Sequence, residues 1–319
     1  MGCGAAALFG DWVKSKQVKG YLFVIASAMA WGSSAVAGKA LFGLGVTPLE
    51  VVQVRLLVSC AILALFFVLR APVLLRIRPA DIAYFAALGG VAMTGLQVCY
   101  FYAIKEIQVA AAILLQYMAP VIVAVVSMLF WKERATAAKF WALGLSMAGC
   151  YLVVGGYNIQ LSGVNRAGIA WGLAAALCFA TNSLMSEHGM RRYSPWTVLF
   201  YAFLFASMSV SVLDPSFAYL TGGYSAAKWF WLLYIAIIGT VIPFGMFFVG
   251  INYIRSTKAM ITATLEPISA GVVAYVFLGE KLSAIQMAGG ALVVMAVILL
   301  QARREQDEMA PELMRAQRH

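Results

Sequence analysis

The chain has 319 residues and a formal net charge of +10, with 63% of its residues hydrophobic and only 11% charged. A soluble domain carries about 25% charged residues, so this chain cannot coat itself with a wetted surface and reads as an integral membrane protein. Five cysteines without paired spacing (Cys3, Cys60, Cys99, Cys150, Cys178) read as small packing residues, and with only His188 and His319 present neither a disulfide framework, a metal site nor a cofactor is indicated.

Ten apolar segments approach the ~20 residues that a helix needs to cross ~30 Å of hydrocarbon. They fall at 20–42, 48–69, 81–104, 108–130, 137–155, 168–187, 195–213, 229–251, 258–278 and 284–301. The first follows Lys14, Lys16 and Lys19 and runs through Ala26-Ser27-Ala28, which resembles a signal-peptide site. Hydrophobicity resumes beyond it, so the segment is read as an uncleaved span, and it carries Trp31. The opening Met1-Gly2-Cys3-Gly4 has Ala6 where a myristoylation signal wants Ser or Thr. The second span starts at Pro48 and holds Arg55 about 10 Å inside, by the helical rise. The third and fourth contribute Gln97, Tyr100, Gln116, Tyr117 and Pro120; the sixth to eighth contribute Asn182, Tyr201 and Phe244. Trp229, Phe230 and Trp231 open the eighth span as an interfacial belt. The ninth contains Glu266 and Pro267. Gly89-Gly90, Gly168 with Gly172, and Gly289-Gly290 permit close helix approach.

Basic residues orient these spans. One side of the membrane receives 17: Lys14, Lys16, Lys19, Arg70, Arg76, Arg78, Lys132, Arg134, Lys139, Arg191, Arg192, Arg255, Lys258, Arg303, Arg304, Arg315 and Arg318. The other receives five: Lys39, Lys105, Arg166, Lys228 and Lys281. By the positive-inside rule both termini are expected in the cytoplasm, and the basic excess needs no nucleic acid to explain it.

An internal repeat organises the chain. Pro120 and Pro267 lie 147 positions apart, as do Glu133 and Glu280, and as do Pro48 and Pro195. An offset of 148 sets Trp31-Gly32-Ser33-Ser34 opposite Phe179-Ala180-Thr181-Asn182. Five spans per half force the second copy to enter the bilayer in the opposite direction, and inverted repeats hold substrate near the midplane where they meet. A proline inside a span deprives the carbonyl four residues earlier of its donor. Lipid cannot supply one, whereas a protein-lined cavity can. The fold class expected is therefore all-α: ten transmembrane helices in two inverted five-helix repeats around a central cavity. The repeats are placed at 20–157 and 168–301, joined by a linker at 158–167 and flanked by cytoplasmic segments at 1–19 and 302–319.

The stretches AMAWGSSAVAGKAL, VVQVRLLVSCAILAL, YFYAIKEIQVAAAILLQYMAPVIVAVVSMLFWKER and TATLEPISAGVVAYVFLGEKLSAIQMAGGALVV together resemble the two EamA-type repeats of the drug/metabolite transporter superfamily. The resemblance covers roughly residues 20 to 301. It implies that the first four spans of each repeat surround a central cavity, and that the cargo is a small organic metabolite or drug, often moved outward. Two positions depart from symmetry: Ala119 precedes Pro120 where Glu266 precedes Pro267, and Ala202 stands where Arg55 is repeated.

Charges at such depth cost several kcal/mol unless they find water or a partner. Arg55 either anchors a carboxylate-bearing substrate or snorkels or pairs structurally; Gln53 shares its face poorly. Glu266 is open to four roles: partner of Arg55, proton-coupling site, contact for a substrate ammonium, or hydrogen-bonding partner of the loosened backbone. Trp31, Gln97, Tyr100, Gln116, Tyr117, Asn182, Tyr201 and Phe244 are candidate cavity residues, with apolar bodies or amides suited to mixed substrates. Glu133 and Glu280 read as structural end charges. No HExxH pair or Walker loop is present and no loop can hold a soluble domain, so an enzyme is not expected. The reading is a secondary transporter in a bacterial inner membrane, monomer or homodimer, for small amphipathic metabolites, with zwitterions such as amino acids preferred. A flippase for a lipid-linked precursor, a drug or cation efflux carrier, and a non-transporting receptor or scaffold stand as alternatives.

Overall fold

In a computed structural model the described residues are 2–107, 109–131, 136–153, 157, 165–269, 272, 283–302 and 310–316. Glu133, Glu280, Lys132, Arg134, Lys281, most of the linker and the ninth span beyond residue 269 lie outside them, as do the side chains of Lys14 and Lys39. The helices are α1 (Gly2–Gly43), α2 (Pro48–Arg70), α3 (Ile82–Ala87), α4 (Thr94–Glu106), α5 (Val109–Gln116), α6 (Ala119–Phe130), α7 (Ala137–Val153), α8 (Arg166–Met190), α9 (Pro195–Leu213), α10 (Ala218–Thr221), α11 (Ala226–Ala236), α12 (Ile242–Ala263), α13 (Ala284–Ala302) and α14 (Pro311–Ala316). No strand occurs among the described residues. Among the described residues six stretches are long and apolar enough to cross a membrane: Pro48–Arg70, Pro79–Glu106, Ala112–Phe130, Arg166–Met190, Pro195–Leu213 and Ala226–Ala263. α7 and α13 are shorter apolar helices, and α1 runs unbroken through the expected first span.

The repeat is visible in the helix ends. Thr47 caps α2 by accepting from Glu50 N, while Glu50 Oε2 accepts from Thr47 N at 2.7 Å. At the matching place Ser194 caps α9 by accepting from Thr197 N at 3.1 Å. A proline follows each cap, where its missing N–H costs nothing. Packing obeys the same pairing: α1 lies along α12 as α8 lies along α4, and α11 meets α2 as the segment after α3 meets α9. α7 and α13 cross at Gly149 and Gly289, where a Cβ on either would come within 2.8 Å of the other's carbonyl oxygen. In lipid such small-residue contacts replace the hydrophobic drive between helices.

Both long central helices break where the repeat places a proline. α5 ends at Gln116, Tyr117-Met118 form a turn, and α6 starts with Ala119-Pro120. α12 ends at Ala263, Thr264-Leu265 turn, and helix resumes at Glu266-Pro267. The third and eighth spans also carry π-helical turns, at Leu88–Met93 and Ile237–Val241. One expectation needs correction. The loop placed between the eighth and ninth spans is a single-residue break inside α12, at Arg255 with φ 66° and ψ 165°.

Side chains from both termini meet at one end of the bundle. Lys16 pairs with Glu312 at 3.4 Å, and Arg192 with Asp81 at 3.3 Å. Arg315 of α14 donates to Met190 O, Tyr193 O and Asn252 Oδ1, closing the ends of α8 and α12. Of the basic excess, Lys16, Arg78, Arg192 and Arg315 gather at this terminus-bearing end. At the far end Asn165 donates to Glu106 at 2.7 Å, and Gln53 Nε2 to Asp214 O at 2.8 Å.

Candidate functional site

A narrow cavity of about 40 Å³, room for a few water molecules, lies between the halves. Seven of the ten expected residues line it: Trp31, Arg55, Gln97, Tyr100, Gln116, Phe244 and Glu266. Ser34, Leu96, Phe101 and Phe179 line it as well. Trp31 packs edge-on to Phe179 and Phe244, with centroids 6.1 and 5.0 Å away, and Phe247 lies 5.2 Å off. By the helical rise Phe179 and Phe247 sit nearer the terminus-bearing end than Arg55 does, so they form a floor.

Arg55 is 4% exposed, which removes the snorkelling alternative. Its Nε donates to Thr240 Oγ1 at 2.8 Å and its Nη2 to Gly239 O at 3.0 Å. Both acceptors belong to the second π-turn, and Pro243, four residues on, has no N–H to give Gly239 O. Thr240 is itself oriented by donating to Ile235 O at 2.7 Å. The guanidinium also faces Phe101, 5.1 Å from the ring centroid. These are neutral groups. Among the described residues Arg55 has no carboxylate partner within ion-pair distance, and three of its five N–H donors have no hydrogen-bond partner. The Arg55–Glu266 pair is therefore not formed. Each residue is held instead by the opposite half, Arg55 by Gly239 and Thr240 and Glu266 by Tyr117.

Glu266 is held by Tyr117, whose hydroxyl lies 2.8 Å from Glu266 Oε2 and 3.0 Å from Ala263 O. Ala263 O is the carbonyl that Pro267 leaves without a donor. A phenol has one hydrogen. Both contacts are hydrogen bonds together only when Glu266 is protonated and donates to the phenol oxygen, while the phenol donates to Ala263 O. With an ionised Glu266 the phenolic hydrogen turns to the carboxylate, and Ala263 O loses it. Tyr117 thus joins the broken helix of the first repeat to that of the second.

Three expected positions lie outside the cavity lining. Tyr117 serves Glu266 and does not line the cavity. Tyr201 donates to Leu75 O at 2.7 Å and packs on Phe85, pinning the turn after α2. Asn182 is fully buried outside the cavity, with neither amide atom partnered among the described residues. Gly239 had a signal in Pro243, which frees its carbonyl, but neither it nor Thr240 carries a sign of which distant side chain will use it. Ser34 and Phe179 had a usable signal: both belong to the matched tetrapeptides.

Residues 18–155 match the EamA-like transporter family, and residues 166–301 match it again. The chain belongs to the EamA-like transporter family. It is 34% identical over 200 residues to an uncharacterized transporter of Archaeoglobus fulgidus, covering 63% of this chain and 70% of that protein. It is 25% identical over 281 residues to the threonine/homoserine exporter RhtA of Escherichia coli K12, covering 85% and 88%. A solved crystal structure superposes with a TM-score of 0.70 at 20% identity, over 89% of this chain and 98% of that one, which shows the fold. Family membership makes the chain a multi-pass membrane transporter for a small molecule and not an enzyme.

Proposed function

We propose that this transporter exports small amphipathic metabolites bearing a carboxylate, with neutral amino acids and related zwitterions as first candidates, by alternating access between its inverted halves. The observation that carries this reading is Arg55: a buried guanidinium lining the cavity, fixed by neutral oxygens and left with unspent donors. Such a fork fits a carboxylate bidentately, and a charge-assisted pair of this kind is among the stronger contacts available to a site. Gln97, Gln116 and Ser34 supply further hydrogen bonds, and the aromatic floor takes an apolar side chain. The name of RhtA, a threonine/homoserine exporter, supports the same class of cargo. The positive-inside rule supports a cytoplasmic terminus-bearing end, and bacterial relatives support the bacterial inner membrane as the host bilayer.

Glu266 is the proton-coupling residue in this reading. Its proton decides whether Tyr117 can hold Ala263 O, so the carboxyl has two states with different helix contacts, as coupling requires. Tyr117, Tyr100, Cys150 and Arg55 are the titratable or charged groups facing it from neighbouring helices. The test is flux in proteoliposomes for a panel of neutral amino acids, the matching decarboxylated amines and unrelated drugs, with and without an imposed proton gradient. Flux of carboxylate-bearing solutes, enhanced by the gradient, is expected; Glu266→Gln should flatten the pH–flux profile while binding persists. Flux of the amines alone, or of no solute, overturns the reading.

A further inference from the structure

Below the aromatic floor, the face of α8 that continues from Phe179 toward the terminus-bearing end is polar. Asn182, Ser183, Ser186 and Glu187 share one side of the helix by their three- and four-residue spacing, and all four are fully buried. Over the eight residues from Phe179 to Glu187 the helix rises about 12 Å. Lipid-facing helices have no use for such a row, and interior packing leaves part of it unsatisfied. Asn182 Oδ1 and Nδ2 and Ser186 Oγ have no partner among the described residues, and Ser183 Oγ meets only the sulfur of Met260, at 3.3 Å. Buried polar atoms left in this way destabilise the state that buries them.

The row ends in a lock. Glu187 accepts from Ser256 N at 2.7 Å, Ser256 Oγ at 2.5 Å and Arg255 Nε at 3.1 Å, and Arg191 Nη2 lies 3.7 Å away. These contacts hold the break in α12, where Arg255 has positive φ. Arg191 and Arg255 also face the ring of Trp131 at the end of α6, at 4.6 and 5.9 Å. The lock therefore ties α8 and α12 of the second repeat to α6 of the first.

The repeat says what the row is for. Asn182 occupies the position of Ser34, and Phe179 that of Trp31. Ser34 lines the cavity while its counterpart is dry. In an inverted repeat the two halves exchange conformations, so a position wet in one state on one side is its counterpart's place in the other state. We propose that the α8 row Asn182–Ser186 is the terminus-side half of the transport path, closed in this structure, and that Glu187 with Arg255 and Ser256 is the gate that closes it. When the gate parts, water and the hydrogen-bonding cargo satisfy the orphaned amide and hydroxyl. The inference rests on the alternating-access reading above but not on the identity of the cargo.

The test uses the full chain, in a cysteine-free background that retains flux, with single reporters Ser186→Cys and Ser34→Cys and a charged, membrane-impermeant thiol reagent applied to either face of sealed vesicles. Ser186→Cys is expected to react at least tenfold more slowly than Ser34→Cys. Adding Glu187→Gln, or Ser256→Ala should that variant fold poorly, should raise Ser186→Cys labelling from the terminus-bearing side several-fold and lower Ser34→Cys labelling from the other. The opposed changes separate a gate from general loosening, which raises both. Unchanged Ser186→Cys labelling, or a rise at both reporters, overturns the proposal. Labelling at Ser186→Cys from the face opposite the termini overturns it too, whereas absence of amino-acid flux alone bears only on the cargo.

Discussion

The two π-turns are the same device put to different use. In each, a threonine donates to the carbonyl five residues earlier: Thr94 to Gly89 O at 3.0 Å and Thr240 to Ile235 O at 2.7 Å. Each turn presses on the second span of the opposite half. The first meets α9, where a Cβ at Gly89 would lie 2.5 Å from Ala202 O and Thr94 Oγ1 approaches Ala206 O at 3.4 Å. The second meets α2, where Ser59 donates to Ala236 O at 3.1 Å and Arg55 takes Thr240 and Gly239. Ala202 is the repeat counterpart of Arg55, so one turn closes on backbone and the other opens on a guanidinium. A π-turn alone therefore does not make a site. It offers a displaced carbonyl and a hydroxyl, and the residue on the facing helix decides whether that offer becomes chemistry or packing.

The largest expected effect removes the difference outright. Arg55→Leu should abolish saturable binding of carboxylate-bearing solutes, and Arg55→Lys, which keeps charge without the planar fork, should weaken it about tenfold or more. Equilibrium binding to purified variants reads this directly, and ordinary affinity in both would reduce Arg55 to a packing residue. A paired substitution then compares the turns. Thr240→Val removes a hydrogen bond to a charged group and should weaken cargo binding about ten- to a hundredfold, in line with ~1.5–3 kcal/mol for such bonds. Thr94→Val removes only neutral contacts, so it should cost about 1 kcal/mol of stability and leave binding per folded molecule unchanged. Equal losses of affinity would mean that both turns serve the cavity.

The smallest effect lies away from both turns. Burial works to raise the Glu312 carboxyl, but hydrogen bonds from Asn252 and Arg315 and the charges of Arg315 and Lys16 outweigh it and hold it below the ordinary carboxylate range. A carboxyl so lowered stabilises the docked α14 at every pH above its unfolded value, and that stabilisation is lost as pH falls through the lowered one. Protease release of the C-terminal helix should thus be flat from pH 8 to about pH 5 and rise only below about pH 4, the ordinary carboxylate value. Cargo affinity relative to Arg55→Lys should not change with it.

The paired helix breaks were legible because proline acts on its own backbone, and Pro120 and Pro267 announce them at a fixed offset. Arg55 and Glu266 were legible because charge in an apolar run demands a reason. What stayed hidden was set by register between distant helices. Pro243 marks Gly239 O as lacking its usual donor, but nothing local tells that Arg55 will take it, or that Tyr117 will reach across 149 positions to Glu266. Arg255 misled for the opposite reason: a basic residue between two apolar runs looks like a loop, yet here Glu187 draws it 2% exposed into the interior. Tyr201 and Asn182 fell on plausible faces of their spans but at depths that sequence spacing does not resolve.

The bond between Tyr117 and Glu266 also bears on ancestry. Had an ancestor carried one repeat and paired with itself in opposed orientation, each position would have occurred twice. A dimer of first halves as they now stand would hold two copies of Arg55 and Tyr117 and no Glu266. A dimer of second halves would hold Glu266 twice, opposite Thr264 and Ala202 in the places of the tyrosine and the arginine. Neither self-pairing rebuilds the hydrogen bond or sets a guanidinium and a carboxyl together across one cavity. The division of labour between the halves therefore belongs to two unlike copies facing one another, and neither half supplies it by pairing with itself.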